Sequence, residues 1–176
     1  MQPILSVIMP LFNRADELSA TLDSLLAQTL TAFELIGVDD GSTDTAPAVF
    51  QSYAARDQRL RLITKPHTNA GDARNLGYDH SHGDYLIFLD ADDVLEPDFF
   101  AVMLHEIQTA DSDLAICTSD EFDHRTHKTV RARPFRHITL SQTVTTLPTA
   151  ALRPHLFTFT YPAPWNKIFR RAVLEQ

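Results

Sequence analysis

The stretch Gly83-Asp-Tyr-Leu-Ile-Phe-Leu-Asp-Ala-Asp-Asp93 decides how this chain is read. Tyr85 to Leu89 is an almost unbroken apolar run bounded by Gly83, the pattern of a strand buried on both faces. Three carboxylates follow at once: Asp90, Asp92 and Asp93. In open α/β sheets ligands bind outside the carboxyl ends of the strands, which is where these acids fall. Residues i and i+2 of an extended segment project to one side, so Asp90 and Asp92 can face one point. Two converging carboxylates make a hard oxygen site suited to Mg²⁺ or Mn²⁺, and such ions commonly bridge to substrate phosphates. An ordinary acidic turn opening a helix, with Pro97 in its first turn, explains the same residues. Both readings stay open on this stretch alone.

Outward from that strand the chain alternates apolar runs with amphipathic segments. Leu5 to Met9, Phe33 to Val38, Leu60 to Ile63 and Leu114 to Cys117 read as further strands. Leu60 to Ile63 alternates and is expected to be half exposed. Arg14 to Gln28 carries Leu18, Leu22, Leu25 and Leu26 at helical spacing. Helices are also predicted over about Thr43 to Arg56, Asn69 to His80 and Pro97 to Thr109, the last with Phe100, Met103, Leu104 and Ile107 on its face. Strands separated by helices imply crossovers, hence an α/β fold with a mostly parallel sheet. Ser119 to Arg136 is polar and suits a hairpin or an excursion over one face. Thr139 to Leu156 suits a short helix around Leu140 to Leu147. Trp165 to Leu174 reads as the start of another helix.

Composition narrows the partners. The 176 residues favour one domain, and 44% hydrophobic content makes it globular. A formal net charge of −8 without a Lys/Arg block argues against nucleic acid. It also makes an anionic substrate awkward unless a metal or a local cation handles it. The single cysteine, Cys117, excludes an internal disulfide framework and reads as a buried inert thiol in a reducing compartment. No apolar run approaches the roughly 18–20 residues of a membrane span, and no secretory signal is visible.

In a doubly wound sheet three loops would meet at one crevice: Pro10-Leu-Phe-Asn13, Asp39-Asp-Gly-Ser-Thr-Asp44 and Asp90-Ala91-Asp-Asp93. Phe12 either stacks on a planar base or packs as a staple aromatic. Asp39 and Asp40 are placed to accept from a base N–H or a ribose hydroxyl. Turn and cap chemistry also suits them, and both uses are expected on different residues. In Asn69-Ala-Gly-Asp-Ala-Arg-Asn-Leu-Gly77, Gly71 permits close backbone approach at a helix start and Arg74 sits one turn in. Together they suit a diphosphate, unless Arg74 pairs with a carboxylate and orders the site instead. The pairs His80/His82 and His124/His127 lack further ligands and read as surface or helix-end residues. Lys167 either meets an acceptor or phosphate or is simply solvated.

Ser6-Val-Ile-Met-Pro-Leu-Phe-Asn13, Glu34-Leu-Ile-Gly-Val-Asp-Asp-Gly-Ser-Thr-Asp44, Asn69 to Gly77 and Gly83 to Asp93, in that order and spacing, resemble the family 2 inverting glycosyltransferases. The match covers about residues 4–117. Trp165-Asn-Lys-Ile-Phe-Arg-Arg171 also resembles a segment of bacterial polysaccharide members. The resemblance implies a GT-A fold, a nucleotide-sugar donor with UDP expected, and a divalent metal, Mn²⁺ or Mg²⁺. By resemblance, Pro10 and Phe12 flank the uracil, Asp40 contacts the base, and Asn13, Asp39, Gly71 and Ala91 belong to the same donor loops. Arg74 matches the Arg of the Ala-Arg-Asn motif. Asp90 and Asp92 bind ribose and metal, Asp92 as the direct metal ligand. The acceptor is then a glycan or a lipid-linked acceptor, with a cytoplasmic setting and possible peripheral association with the inner membrane face.

The expected organisation is a single nucleotide-sugar-binding domain over residues 1–176, with a donor core at 1–117 and the start of an acceptor-side region at 118–176. Inverting transfer needs a carboxylate base at the acceptor hydroxyl. Family members carry it after the Trp-Asn-Lys-like segment, so it is expected beyond Gln176. Asp120, Glu121 and Asp123 are weaker candidates. Two rival functions remain. One is a haloacid dehalogenase-like phosphatase using Asp90 of Asp90-Ala-Asp-Asp-Val94. The other is a non-catalytic nucleotide-sugar-binding module.

Overall fold

The structure is a computed structural model and describes residues 2–123, 126, 128–131 and 164–175. Five strands and four helices alternate up to residue 116: β1 (Leu5–Leu11), α1 (Ala15–Leu26), β2 (Phe33–Asp39), α2 (Ala46–Ala54), β3 (Leu60–Thr64), α3 (Ala70–Asp79), β4 (Tyr85–Phe88), α4 (Phe99–Thr109) and β5 (Leu114–Ile116). The hairpin strands β6 (Asp120–Asp123) and β7 (Lys128–Arg131) pair antiparallel, the hairpin option for the polar stretch. The strand β8 (Lys167–Arg170) and one helical turn, Arg171–Leu174, complete the described chain. The expected helix around Leu140 to Leu147, and His124 and His127, lie outside the described residues.

The main sheet runs β3-β2-β1-β4-β8-β5. Strands β3, β2, β1 and β4 are mutually parallel, and β8 alone is antiparallel to its neighbours β4 and β5. Leu5, Val7, Met9 and Leu11 of β1 face the large core with Leu18, Leu22 and Leu25 of α1, Phe50 of α2 and Phe100 of α4, all fully buried. Ile36 and Val38 face the other way and pack on Ala73 of α3. Three helices therefore cover one face and α3 the opposite one. Gly77 sets how closely α3 approaches: a Cβ there would lie 2.4 Å from Ile8 Cγ2.

Two expectations are corrected. β1 continues through Pro10 to Leu11. Ile8 O accepts from Leu89 N and Leu11 O accepts from Asp40 N, so the missing Pro10 N–H points toward β4 past its last pair, Ile8↔Phe88. No ladder bond is lost there. The second correction is at Trp165 to Leu174, read as a helix. Its central residues are a strand that fills the gap between β4 and β5, with Ile168 opposite Ile87 on one side and Ala115 on the other. Ile168 is fully buried, whereas Val173 and Leu174 of the following turn are exposed.

Ile168→Ala is accordingly expected to lower the unfolding free energy by about 2–5 kcal/mol, the cost of a core cavity. Leu174→Ala should change it by no more than about 0.5 kcal/mol. Urea denaturation of both variants checks this, and a larger loss at Leu174 would contradict the strand assignment.

Candidate functional site

The strand order reverses at β1: β2 and β3 lie on one side of it, β4 on the other. At such a switch point the loops leaving the two diverging strands open a crevice. Here it is a cleft of about 360 Å³ lined by Pro10, Leu11, Phe12, Arg14, Asp40, His67, Asn69, Ala70, Arg74, Asp90, Ala91 and Asp92. Among the expected site residues, Pro10, Phe12, Asp40, Arg74, Asp90, Ala91 and Asp92 meet in it. Asn13, Asp39 and Gly71 do not line it.

Those three serve the loops instead. Asn13 adopts φ 52, a left-handed conformation that Asn tolerates. Its Oδ1 accepts from Thr43 N at 2.8 Å and Asp44 N at 3.3 Å, which ties the loop after β1 to the loop after β2. Asp39 is buried, and its Oδ1 accepts from Ser42 N at 3.0 Å, closing the turn. Gly71 sits in the first turn of α3, capped by Asn69, whose Oδ1 accepts from Asp72 N at 2.9 Å.

The acidic loop is held from α1. Thr21 Oγ1 donates to Ala91 O at 2.9 Å, Ser24 Oγ accepts from Leu95 N at 3.2 Å, and Gln28 bridges Glu96 O and Phe100 N. All three side chains are buried. Arg74 Nη2 donates to Asp90 Oδ1 at 2.8 Å, so the alternative of a carboxylate partner is the one observed. Arg74 Nε is buried without a partner among the described residues. Arg14 Nε lies 3.6 Å from Asp92 Oδ2, and both side chains are about half exposed. Burial, reinforced by the charges of Asp90 and Asp92, pushes Asp93 up to about 6. Negative charge is therefore concentrated at this strand end.

Asp40 is buried against Lys65, Thr68 and His67. Lys65 Nζ donates to Oδ1, Thr68 N donates to the same oxygen at 2.9 Å, and His67 Nδ1 lies 2.9 Å from Oδ2. Burial works to raise its pKa, but Lys65, the Thr68 amide and His67 outweigh it and hold the carboxyl below its ordinary range. His67 stacks on Phe12 with ring centroids 4.2 Å apart. Gly41, at φ 75, lets this loop approach: a Cβ there would lie 2.9 Å from His67 N.

Arg14, His67 and Asn69 were missed as cleft residues. Each lies within a few residues of a strand end on the cleft side, and that position was the available signal. Cys117 is partly buried and lies 3.6 Å from Asn166 O, and burial raises its thiol to about 11. Lys167 is buried, donates to Asn166 Oδ1 at 2.7 Å, and is held below its ordinary pKa by that burial.

The donor set fits a hard divalent cation. Asp90 and Asp92 bring carboxylate oxygens to the cleft, and ions of the Mg²⁺ type take one or two carboxylates and complete their shell with phosphates and water. Among the described residues no three His, Cys, Asp or Glu side chains form a closed cage.

Residues 6–176 match the family model described as Glycosyl transferase family 2. The chain belongs to this family. It is 35% identical over 130 residues to the uncharacterized glycosyltransferase YibD of Escherichia coli, covering 74% of this chain and 38% of YibD. It is 30% identical over 178 residues to the uncharacterized glycosyltransferase EpsJ of Bacillus subtilis, covering all of this chain and 50% of EpsJ. The chain thus spans half or less of the length of these relatives. In fold it is similar to TarS of S. aureus solved in complex with UDP, at TM-score 0.75 and 23% identity, covering 99% of this chain and 48% of that one. The mannosyltransferase PcManGT from Pyrobaculum calidifontis, solved with GDP-Man and Mn²⁺, is similar at TM-score 0.61 and 24% identity, over 66% of this chain and 36% of its own. These likenesses establish the GT-A fold. Family membership also removes the phosphatase reading of Asp90. No helix among the described residues is long and apolar enough to cross a membrane.

The buried Asp40–Lys65 pair yields a prediction about acid stability. A carboxyl whose pKa is depressed by folding contributes stability that is full above its unfolded value and is lost as pH falls through the folded value. Asp40→Ala is expected to cost about 3 kcal/mol at pH 7, because it leaves Lys65 without its buried partner. The gap between wild type and variant should narrow below about pH 4. Urea denaturation at pH 7 and pH 3.5 measures it; a gap that widens on acidification would exclude this account.

Proposed function

We propose that this chain is the donor-binding portion of an inverting, metal-dependent glycosyltransferase that takes the sugar of a UDP-linked donor to a glycan or lipid-linked acceptor. The observation that carries this reading is the convergence of Phe12, Arg74, Asp90 and Asp92 on one cleft at the switch point of a family 2 chain. The ligands of its structural neighbours support it, UDP in TarS and GDP-Man with Mn²⁺ in PcManGT.

In this reading Phe12, 41% exposed, offers a ring face to the base. Asp90 and Asp92 hold Mn²⁺ or Mg²⁺, which supplies charge to offset that developing on the leaving diphosphate. Arg74 fixes Asp90 and lies close enough to the cleft to serve as a fixed counter-charge to the donor. Such groups answer the charge problem that a net −8 chain poses for an anionic substrate. Inversion requires an acceptor oxygen to attack opposite the diphosphate, with a base to take its proton. We assign donor binding to residues 1–117 and the start of the acceptor side to 118–176, with transfer completed by the part of the longer relatives that this chain does not span.

Calorimetric titration of UDP, with Mn²⁺ and then with EDTA, tests the donor site. Binding is expected to need the metal, and Asp92→Ala should weaken it at least tenfold. Metal-independent binding, or binding that Asp92→Ala leaves intact, would refute the assignment of Asp92. Binding of UDP-sugar with transfer only in a full-length relative-sized protein is the expected second result. Binding with no transfer in any such protein would favour the non-catalytic module.

A further inference from the structure

A threonine in mid-helix commonly returns its hydroxyl to a carbonyl of the preceding turn. Thr21 sends its hydroxyl elsewhere. It is fully buried among the leucines of α1, and its Oγ1 donates at 2.9 Å to Ala91 O, 70 residues along the chain. The acceptor belongs to the peptide between Ala91 and Asp92.

Asp90 to Asp93 form a four-residue turn, closed by Asp93 N donating to Asp90 O at 3.2 Å. That bond leaves the central peptide, Ala91 O with Asp92 N, without a partner inside the turn itself. Rotation of this peptide changes ψ of Ala91 and φ of Asp92, and with φ the direction in which Asp92 projects. Positive φ among the described non-glycine residues is confined to Asn13 and Asp111, so Asp92 sits at negative φ. Turning the peptide over would need positive φ at Asp92, which Asp tolerates better than most residues. The bond from Thr21 holds the peptide as it lies. The Ala91 side chain, 4% exposed, packs in the main core and anchors the same residue a second time.

The two carboxylates are therefore held by different means. Arg74 Nη2 fixes the Asp90 side chain at 2.8 Å. Asp92 meets Arg14 at 3.6 Å with both side chains about half exposed, too loosely to be placed by it. Its position comes from its backbone.

We propose that Thr21 is a positioning residue for metal binding: it sets Asp92 against Asp90 through the Ala91–Asp92 peptide. This rests on the donor site proposed above and adds a residue that lies outside the cleft.

The test is titration of Mn²⁺ with excess UDP, followed by the electron paramagnetic resonance of free Mn²⁺. Thr21→Val keeps the volume and removes the donor. It should weaken Mn²⁺ binding about tenfold, the low end of what losing a group behind a metal ligand costs. Thr21→Ser restores the donor and should restore wild-type affinity. Ile36→Val, a core truncation on the other face of the sheet, lowers stability away from the turn and should bind Mn²⁺ as wild type does. Melting temperatures are measured alongside, and Thr21→Ala replaces the valine variant if that one fails to fold. Mn²⁺ binding that loss of the hydroxyl leaves intact overturns the proposal. A loss shared equally by Thr21→Ser, or by Ile36→Val, also overturns it, because packing or stability would then be the cause. Asp92→Ala separates the two levels. If wild type takes up no Mn²⁺, or Asp92→Ala takes it up as wild type does, the donor-site reading falls and this proposal falls with it.

Discussion

The loop carrying Asp90, Ala91 and Asp92 has no regular structure, so its peptide groups need partners from outside. α1 supplies them. Thr21 and Ser24 lie on the stripe where Leu18, Leu22 and Leu25 enter the core, and Gln28 follows just past the helix end. Their buried polar groups bond Ala91 O, Leu95 N, Glu96 O and Phe100 N in turn. Losing one would leave a buried peptide group unpaired at a cost of about 1–3 kcal/mol. The acidic residues of the cleft thus take their positions from the first helix of the chain.

That arrangement depends in turn on strand order. Because β1 lies between β2 and β4, the loops after β1 and β4 part company and leave a crevice between them. α1 begins in the first of these loops and packs beneath the second. Asn13 then joins the loop after β1 to the loop after β2, and Lys65 and His67 bring in the loop after β3 through Asp40. Four strand ends are locked by side-chain hydrogen bonds that span sequence separations of up to 72 residues.

Much of this was legible from residue order because the parallel strands are buried on both faces. Val7, Ile36 and Ile87 stand in apolar runs that few other structures explain. β8 was not legible. Four residues cannot separate a period of 2 from one of 3.6, and its pairing with β4 and β5 is wholly non-local. The hydrophobic pattern located the leucines of α1 but gave no reason to look at Thr21, Ser24 and Gln28 between them. For the site, Asp90, Asp92 and Arg74 were visible as charges at strand or helix ends. His67 was not, because its place depends on Gly41 and Phe12, residues 26 and 55 positions earlier, which only the folded chain brings to it.

The two arginines of the cleft differ in how firmly they hold their carboxylates. Arg14 and Asp92 meet at 3.6 Å with side chains 51% and 44% exposed. An ion pair of that kind contributes about 0–1 kcal/mol and is screened by salt, so either partner can exchange it for a ligand. Arg74 and Asp90 meet at 2.8 Å and are less exposed, at 25% and 35%. That pair is charge-assisted and shorter, so it is the firmer of the two. Asp90 is thereby pre-set while Asp92 stays available. In the donor site proposed above, Asp92 is then the carboxylate open to a ligand, and Asp90 with Arg74 is the fixed part.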